Sequence, residues 1–223
     1  VATMSIGPKQ ALYAEFAVVA KALGSSHRLE MLEHLAQGER SVDGLAARVR
    51  LPLANVSHHL QQMKRAGLVA ARRDGKFVRY RLADDAVLDL MAALSRLGTR
   101  TLAEVAQIRR SYFDARDTLE PVTRGELMAR ASDGRVTVLD VRPADEFASG
   151  HLPGAINVPA GELEARLGEL DPGHEIVAYC RGPWCVFSFE VVAALRSRGL
   201  VAHRLEDGYP EWRAAGLPVE TGA

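Results

Sequence analysis

Hydrophobic positions in the first third of the chain recur every three or four residues, the repeat of helices that turn one face to a core. Leu12, Phe16, Val19 and Leu23 predict a helix from Ala11 that stops at Gly24, and Ser25 or Ser26 caps a second one, holding Leu29, Leu32 and Leu35, that stops at Gly38. Ser41 opens a short helix with Leu45 and Val49, Pro52 interrupts, and a further helix is expected from about Leu53 to Gly67. In that helix Leu53, Val56, Leu60 and Met63 share one face, while Asn55, His59 and Gln62 share another that is polar without being acidic. The period then changes. Leu68 to Arg73 and Lys76 to Leu82 flank Asp74-Gly75, a pair suited to a two-residue hairpin turn; Val78, Tyr80 and Leu82 alternate with Phe77, Arg79 and Arg81, so one strand face is basic. Short helix, turn, second helix and basic hairpin form, in that order, a winged helix-turn-helix. Helical spacing returns from Asp84 to about Tyr112 through Val87, Leu90, Met91, Leu94, Leu102, Val105 and Ile108. That stripe is more than one small domain covers. Two readings stay open: an interface with a second copy, shared with the first helix, or a connector within the chain.

Asp117 to Pro121 reads as a linker, and Thr123-Arg124-Gly125-Glu126 as a capping box that starts a helix. Beyond Arg135 strands and helices alternate. Strands are expected at Val136 to Asp140, Ala155 to Val158, Ile176 to Cys180 and Val201 to Leu205, and helices near Ala144 to Ser149, Glu162 to Leu167, Val186 to Arg198 and Pro210 to Ala215. The fold class is thus two domains: residues 1–116, a mainly α winged helix-turn-helix with a β-hairpin wing for DNA binding and dimerisation, and residues 117–223, an α/β domain with a parallel sheet. In such sheets ligand sites gather at the carboxyl ends of strands, where Cys180 falls.

A length of 223 residues suits two compact units, and 48% hydrophobic with 25% charged residues is ordinary for a folded protein. The sequence has no apolar run long enough to span a membrane, and its first twenty residues lack the basic start and cleavage site of a secretory signal, so the expected compartment is the cytoplasm, with no membrane partner. The stretch through about Pro8 is expected to be flexible. Charge is zero overall but uneven: residues 1–120 carry 18 Lys/Arg against 13 Asp/Glu, and residues 121–223 carry 10 against 15. Arg40 to Arg81 alone holds 10 basic residues against Asp43 and Asp74. So dense a cluster fits a polyanion-binding surface, although a solvated basic face has the same composition. Cys180 and Cys185 are the only cysteines, too few and too close for a disulfide framework, so a chemical role is expected.

Ala22-Leu23-Gly24-Ser25-Ser26-His27-Arg28-Leu29, Asn55-Val56-Ser57-His58-His59-Leu60 and Arg72-Arg73-Asp74-Gly75-Lys76 resemble the ArsR/SmtB family of bacterial repressors. The resemblance implies a homodimer on double-stranded palindromic operator DNA, with each recognition helix in a major groove. Asn55, Ser57, His58, His59, Gln62 and Lys64 are then the groove candidates, and Arg72, Arg73, Lys76 and Arg79 the phosphate contacts of the wing. Each of these side chains is equally compatible with a plain solvated position. Many family members sense metals through a Cys-Val-Cys at the third helix; here the residues are Ser41-Val42-Asp43, without the thiolates that soft metals favour, and no metal site is expected.

Leu139-Asp140-Val141-Arg142, Glu146-Phe147, Gly150-His151-Leu152-Pro153-Gly154-Ala155-Ile156-Asn157, Tyr179-Cys180-Arg181-Gly182-Pro183-Trp184-Cys185 and Asp207-Gly208-Tyr209-Pro210-Glu211-Trp212 together resemble a rhodanese domain. The chain is similar, as a whole, to ArsR-rhodanese fusions. A strand that delivers Cys180 into a loop leading to a helix turns backbone N–H groups toward the sulfur, which favours a thiolate, persulfide or oxyanion there. The resemblance implies Cys180 as nucleophile, with Arg181 adding positive charge and Gly182, Pro183 and Trp184 completing the cradle, from which Pro183 removes one N–H. Cys185 suits a resolving thiol, or is an inert buried cysteine at a helix start. Arg142 is expected to pair with a carboxylate such as Glu146 as scaffold. The function expected is a repressor that answers reactive sulfur species through persulfide or bridge formation at Cys180 and Cys185, needing no cofactor and meeting a sulfane-sulfur donor or small thiol. The alternatives are an active sulfurtransferase with an attached DNA-binding domain, and a sensor of arsenic oxyanions or redox state.

Overall fold

The computed structural model describes residues 7–117, 121–131 and 134–222. The expectation for the first residues therefore lies largely outside it, as does the middle of the expected linker. The chain divides into two compact units, Val1–Met91 and Ala92–Ala223.

The first unit begins with α1 (Pro8–Leu23), α2 (Ser26–Ala36), a two-residue strand β1 (Arg40–Ser41), α3 (Val42–Val49) and α4 (Leu53–Arg65). A hairpin of β2 (Val69–Asp74) and β3 (Phe77–Leu82) follows, then α5 (Ala86–Thr101), which carries the chain into the second unit. Ser41 caps α3, its hydroxyl accepting from the Gly44 N–H at 3.1 Å. Met31, Leu32, Leu45, Val56, Leu60 and Met63 are fully buried, each contributing about 1.5–3 kcal/mol by leaving water. The hairpin closes as Asp74 pairs with Phe77 across Gly75, whose φ of 60° suits the turn.

Two expectations are corrected in this unit and at its exit, and one strand was not foreseen. Leu53 is half exposed, because the first turn of α4 projects past the core that takes Val56 and Leu60. Arg40 pairs with Tyr80, adding β1 to the hairpin as a third strand in the order β1-β3-β2. The helix expected to run from Asp84 to Tyr112 breaks at Leu102, whose φ of −103° and ψ of 114° are extended.

The second unit continues with α6 (Ala103–Ile108), a π-helical turn at Arg109–Phe113 and α7 (Arg124–Ala131), started by the expected capping box: the Thr123 N–H donates to Glu126 Oε2 at 2.8 Å and the Glu126 N–H to Thr123 Oγ1 at 3.3 Å. Then come β4 (Val136–Asp140), α8 (Ala144–Ser149), β5 (Ile156–Asn157), α9 (Leu163–Arg166), β6 (Glu175–Tyr179), α10 (Val186–Ser197), β7 (Ala202–Arg204) and α11 (Tyr209–Ala214). The four strands are parallel in the order β5-β4-β6-β7. Both faces of the two central strands are covered: Leu139, Ile176 and Ala178 pack with Val192 and Leu195 on one side, Val138, Val177 and Tyr179 with Leu152 and Trp212 on the other. β5 is shorter than expected, and Cys180 stands one residue past the end of β6. Asp117, expected in a linker, is buried: its Oδ1 accepts from Arg196 Nη1 at 2.7 Å and its Oδ2 lies 3.4 Å from Arg204 Nε. Among the described residues no helix is long and apolar enough to cross a membrane.

Candidate functional site

In the order β5-β4-β6-β7 the chain leaves β4 toward one edge and β6 toward the other, so the crevice between their carboxyl ends is the switch point where α/β sheets hold ligands. Both cysteines are there. Cys180 and Cys185 are buried and joined by a disulfide, with Cα atoms 6.1 Å apart. The ring so closed contains Arg181, Gly182, Pro183 and Trp184, and Cys185 is the N-cap of α10. The Cys185 N–H donates to the Gly182 carbonyl at 3.1 Å, which withdraws it from the donors expected around the Cys180 sulfur.

The segment before α11 clamps the loop. The Tyr209 N–H donates to the Cys180 carbonyl at 3.0 Å, and Gly208 lies so close that a Cβ there would overlap the backbone of Arg181 and Gly182. Glu211 Oε2 accepts from the Gly208 N–H at 3.0 Å and holds that approach. Arg181 does not offer a bare charge: its Nε and Nη2 each donate at 2.9 Å to the two oxygens of the buried Glu146 carboxylate. The carboxylate that grips Arg142 with both oxygens is Asp140, at 2.6–3.1 Å, and the same guanidinium donates to the Gly150 carbonyl at 2.7 Å. Asp140 raises the Arg142 pKa against the opposing effect of burial, and Glu146 adds a smaller push the same way. Arg142 does pair with a carboxylate, as expected, and the one that it meets with both oxygens is Asp140. A shallow cavity of about 240 Å³ opens beside the loop, lined by Val141, Pro143, Pro159, Ala160, Glu162 and Phe187 among others.

In the first unit α4 carries Asn55, His58 and Lys64 exposed and Ser57, His59 and Gln62 half-buried. Sequence reasoning gave no role to Arg28, whose guanidinium ties α1 to α4: it donates to the carbonyls of Ala22 and Lys21 at the end of α1 and, at 2.7 Å, to Gln62 Oε1. With its oxygen held, Gln62 turns Nε2 to His58 Nε2 at 2.7 Å, which requires the His58 tautomer protonated at Nδ1. Burial first, then Arg28, His27 and His58, lowers the pKa of His59. On the wing Arg73 and Lys76 are exposed, whereas Arg72 pairs with Glu39 at 2.7 Å and Arg79 with Asp74 at 2.7 Å. These side chains thus lie along α4 and the β2–β3 hairpin of the first unit. Among the described residues no three metal-ligating side chains gather.

Comparison with known proteins agrees with both halves. The family described as bacterial regulatory protein, arsR family, matches residues 25–71, and the rhodanese-like domain family matches residues 123–215. The HTH-type transcriptional regulator Rv0324 of Mycobacterium tuberculosis is 44% identical over 215 residues, covering 96% of this chain and 94% of its own. A solution structure of the homodimeric winged helix-turn-helix DNA-binding domain of a possible ArsR-family regulator from Mycobacterium bovis is 38% identical over 47% of this chain and 95% of its own, with a TM-score of 0.42. A rhodanese-related protein of Thermoplasma volcanium is 26% identical over 46% of this chain and 98% of its own, also with a TM-score of 0.42. The chain therefore belongs to the HTH-type transcriptional regulators of the arsR family, in the form that joins the DNA-binding domain to a rhodanese-like domain.

Proposed function

We propose that the protein is a dimeric repressor that binds double-stranded operator DNA through α4 and the β2–β3 wing and changes its affinity when reactive sulfur converts Cys180 and Cys185 between thiol and bridged forms. The observation that carries this reading is the bridge itself: the two cysteines of the chain are bonded across one short loop at the carboxyl end of β6. A hydropersulfide transfers its outer sulfur to Cys180, giving the parent thiol and a Cys180 persulfide. The Cys185 thiolate then attacks the inner sulfur, the outer sulfur leaves as hydrogen sulfide, and the disulfide remains; the donor sulfur is reduced and both cysteines are oxidised, so no other oxidant is needed. The dimer reading rests on Leu12, Phe16, Leu94 and Leu97, large apolar side chains of α1 and α5 left exposed in a single chain. Operator DNA as the target makes the cytoplasm the place of action.

The test follows intact mass and operator affinity on the same samples exposed to a small hydropersulfide. Wild type should lose about 2 Da on bridging and shift its affinity by roughly 5- to 150-fold, the usual range of allosteric coupling. Cys180→Ser should take up no sulfur and show no shift; Cys185→Ser should gain about 32 Da per sulfur yet lose most of the shift. A Cys185→Ser protein that responds like wild type refutes the bridge as the signal. A Cys180→Ser protein that still responds refutes the loop as the sensor. Rapid multiple turnover with a thiol acceptor and no change in affinity would make the protein a sulfurtransferase instead.

A further inference from the structure

The indole of Trp184 leaves the cysteine ring and ends on other elements. Its Nε1–H donates to Ser95 Oγ at 2.8 Å, and its ring meets Phe113 edge to face at 5.4 Å between centroids; Phe113 rests in turn on Phe189 at 4.8 Å. Ser95 belongs to α5, the helix whose first turns bury Val87 and Leu88 in the core of the first unit. Phe113 ends the π-helical turn at Arg109–Phe113, a wide turn of the kind that recurs at functional positions.

Trp184 is one of the four residues of the loop that the Cys180–Cys185 bridge closes, and Pro183 fixes the backbone immediately before it. While the ring is closed, few backbone positions are open to Trp184 and its side chain stays where Ser95 and Phe113 meet it. Opening the ring takes two electrons and two protons from a dithiol and yields two thiols. The loop then gains the freedom of four residues no longer joined at their ends.

We propose that Trp184 is a positioning residue that passes the state of the cysteine pair to α5: bridged, its indole holds Ser95 and Phe113; opened, that hold is released. Ser95 and Leu88 lie seven residues apart on one continuous helix, about 10 Å at 1.5 Å per residue, so a change at one reaches the other through the helix itself. The proposal rests on the sulfur-responsive reading only for what forms the bridge in the cell.

The test uses the full chain and its Ser95→Ala and Trp184→Phe variants, each bridged and dithiol-reduced. Hydrogen exchange is followed over residues 92–101 by mass spectrometry, with operator affinity measured on the same samples. Reduction of wild type should speed exchange in that segment about fivefold, the worth of one net hydrogen bond. Ser95→Ala should exchange fast already when bridged and gain little on reduction. Trp184→Phe, which keeps a ring for Phe113 but has no N–H, should do the same. Ser95→Ala, which leaves every residue of the loop in place, should bridge as readily as wild type, a result that damage to the loop would not give. Equal wild-type exchange in the two states, or variants that respond as wild type does, overturns the proposal. Exchange that responds while operator affinity does not would refute the regulator reading and leave the contact standing.

Discussion

Gly208→Ala isolates the clamp on the cysteine loop. The φ of Gly208 is −107°, open to any residue, so the obstacle is space: the added methyl would overlap the backbone of Arg181 and Gly182, which cannot swing aside as a side chain would. Overpacking of this kind costs about 1–3 kcal/mol. If the segment moves to relieve it, the Tyr209 N–H loses the Cys180 carbonyl, for about 1 kcal/mol more. The sum is about 2–4 kcal/mol, which at about 3–4 °C per kcal/mol for a unit of this size lowers Tm by about 6–16 °C. Trp184 and Trp212 are the two tryptophans and both lie in the second unit, so fluorescence during thermal unfolding reads that unit. Two controls separate crowding from backbone strain. At Gly161 a Cβ meets nothing within 4 Å, and Ala there should change stability by less than about 0.5 kcal/mol. Gly154 is equally open but sits at φ 68°, so Ala should cost about 1–2 kcal/mol through conformation alone. A Gly208→Ala protein that melts within about 2 °C of wild type, less than 1 kcal/mol on that scale, refutes the clamp.

Breaking the buried pair by Arg142→Met or Asp140→Asn should each cost about 3–5 kcal/mol in urea unfolding, because the partner is left charged in the interior; a loss under about 1 kcal/mol would show that water reaches the pair. For His59, a folded pKa below the unfolded value near 6.5 means that the unfolded chain binds the proton more readily, so the stability due to neutral His59 is full above about pH 6.5 and is lost as pH falls below it. Wild type should therefore lose more stability than His59→Gln between about pH 7.5 and pH 5.5 in denaturant titrations followed by circular dichroism, and equal losses would refute the assignment.

Much of this was legible in the sequence because it is local. Periods of 3.6 and 2, the Asp74-Gly75 turn, the Thr123 capping box and a cysteine after an apolar strand are each set by a few neighbouring residues. What escaped is set by residues far apart. Strand β1 has two residues, too few to show a period, and exists because Arg40 meets Tyr80. Arg181 finds Glu146 across 35 positions, and Arg28 finds Gln62 across 34, so no spacing rule announces either. The cysteine pair could be named from its motif; that Trp184 reaches Ser95, 89 positions earlier, belongs to tertiary packing alone. The exposure of Leu53 failed for the opposite reason, since a helical repeat marks a face but not where the core beneath it ends.

Asp117 separates the unit of inheritance from the unit of folding. The rhodanese-like match begins at residue 123, yet the carboxylate that neutralises Arg196 and Arg204 comes from six positions upstream. Burial, with a smaller push from the Arg196 charge, lowers the Arg204 pKa, and Asp117 is the main group that opposes it. A fragment cut at the edge of the match would keep both guanidiniums and discard their counter-charge, whereas one begun at Ala92 keeps the pair intact. Whoever excises this module by its family limits would be handling a different electrostatic object from the one the cell makes.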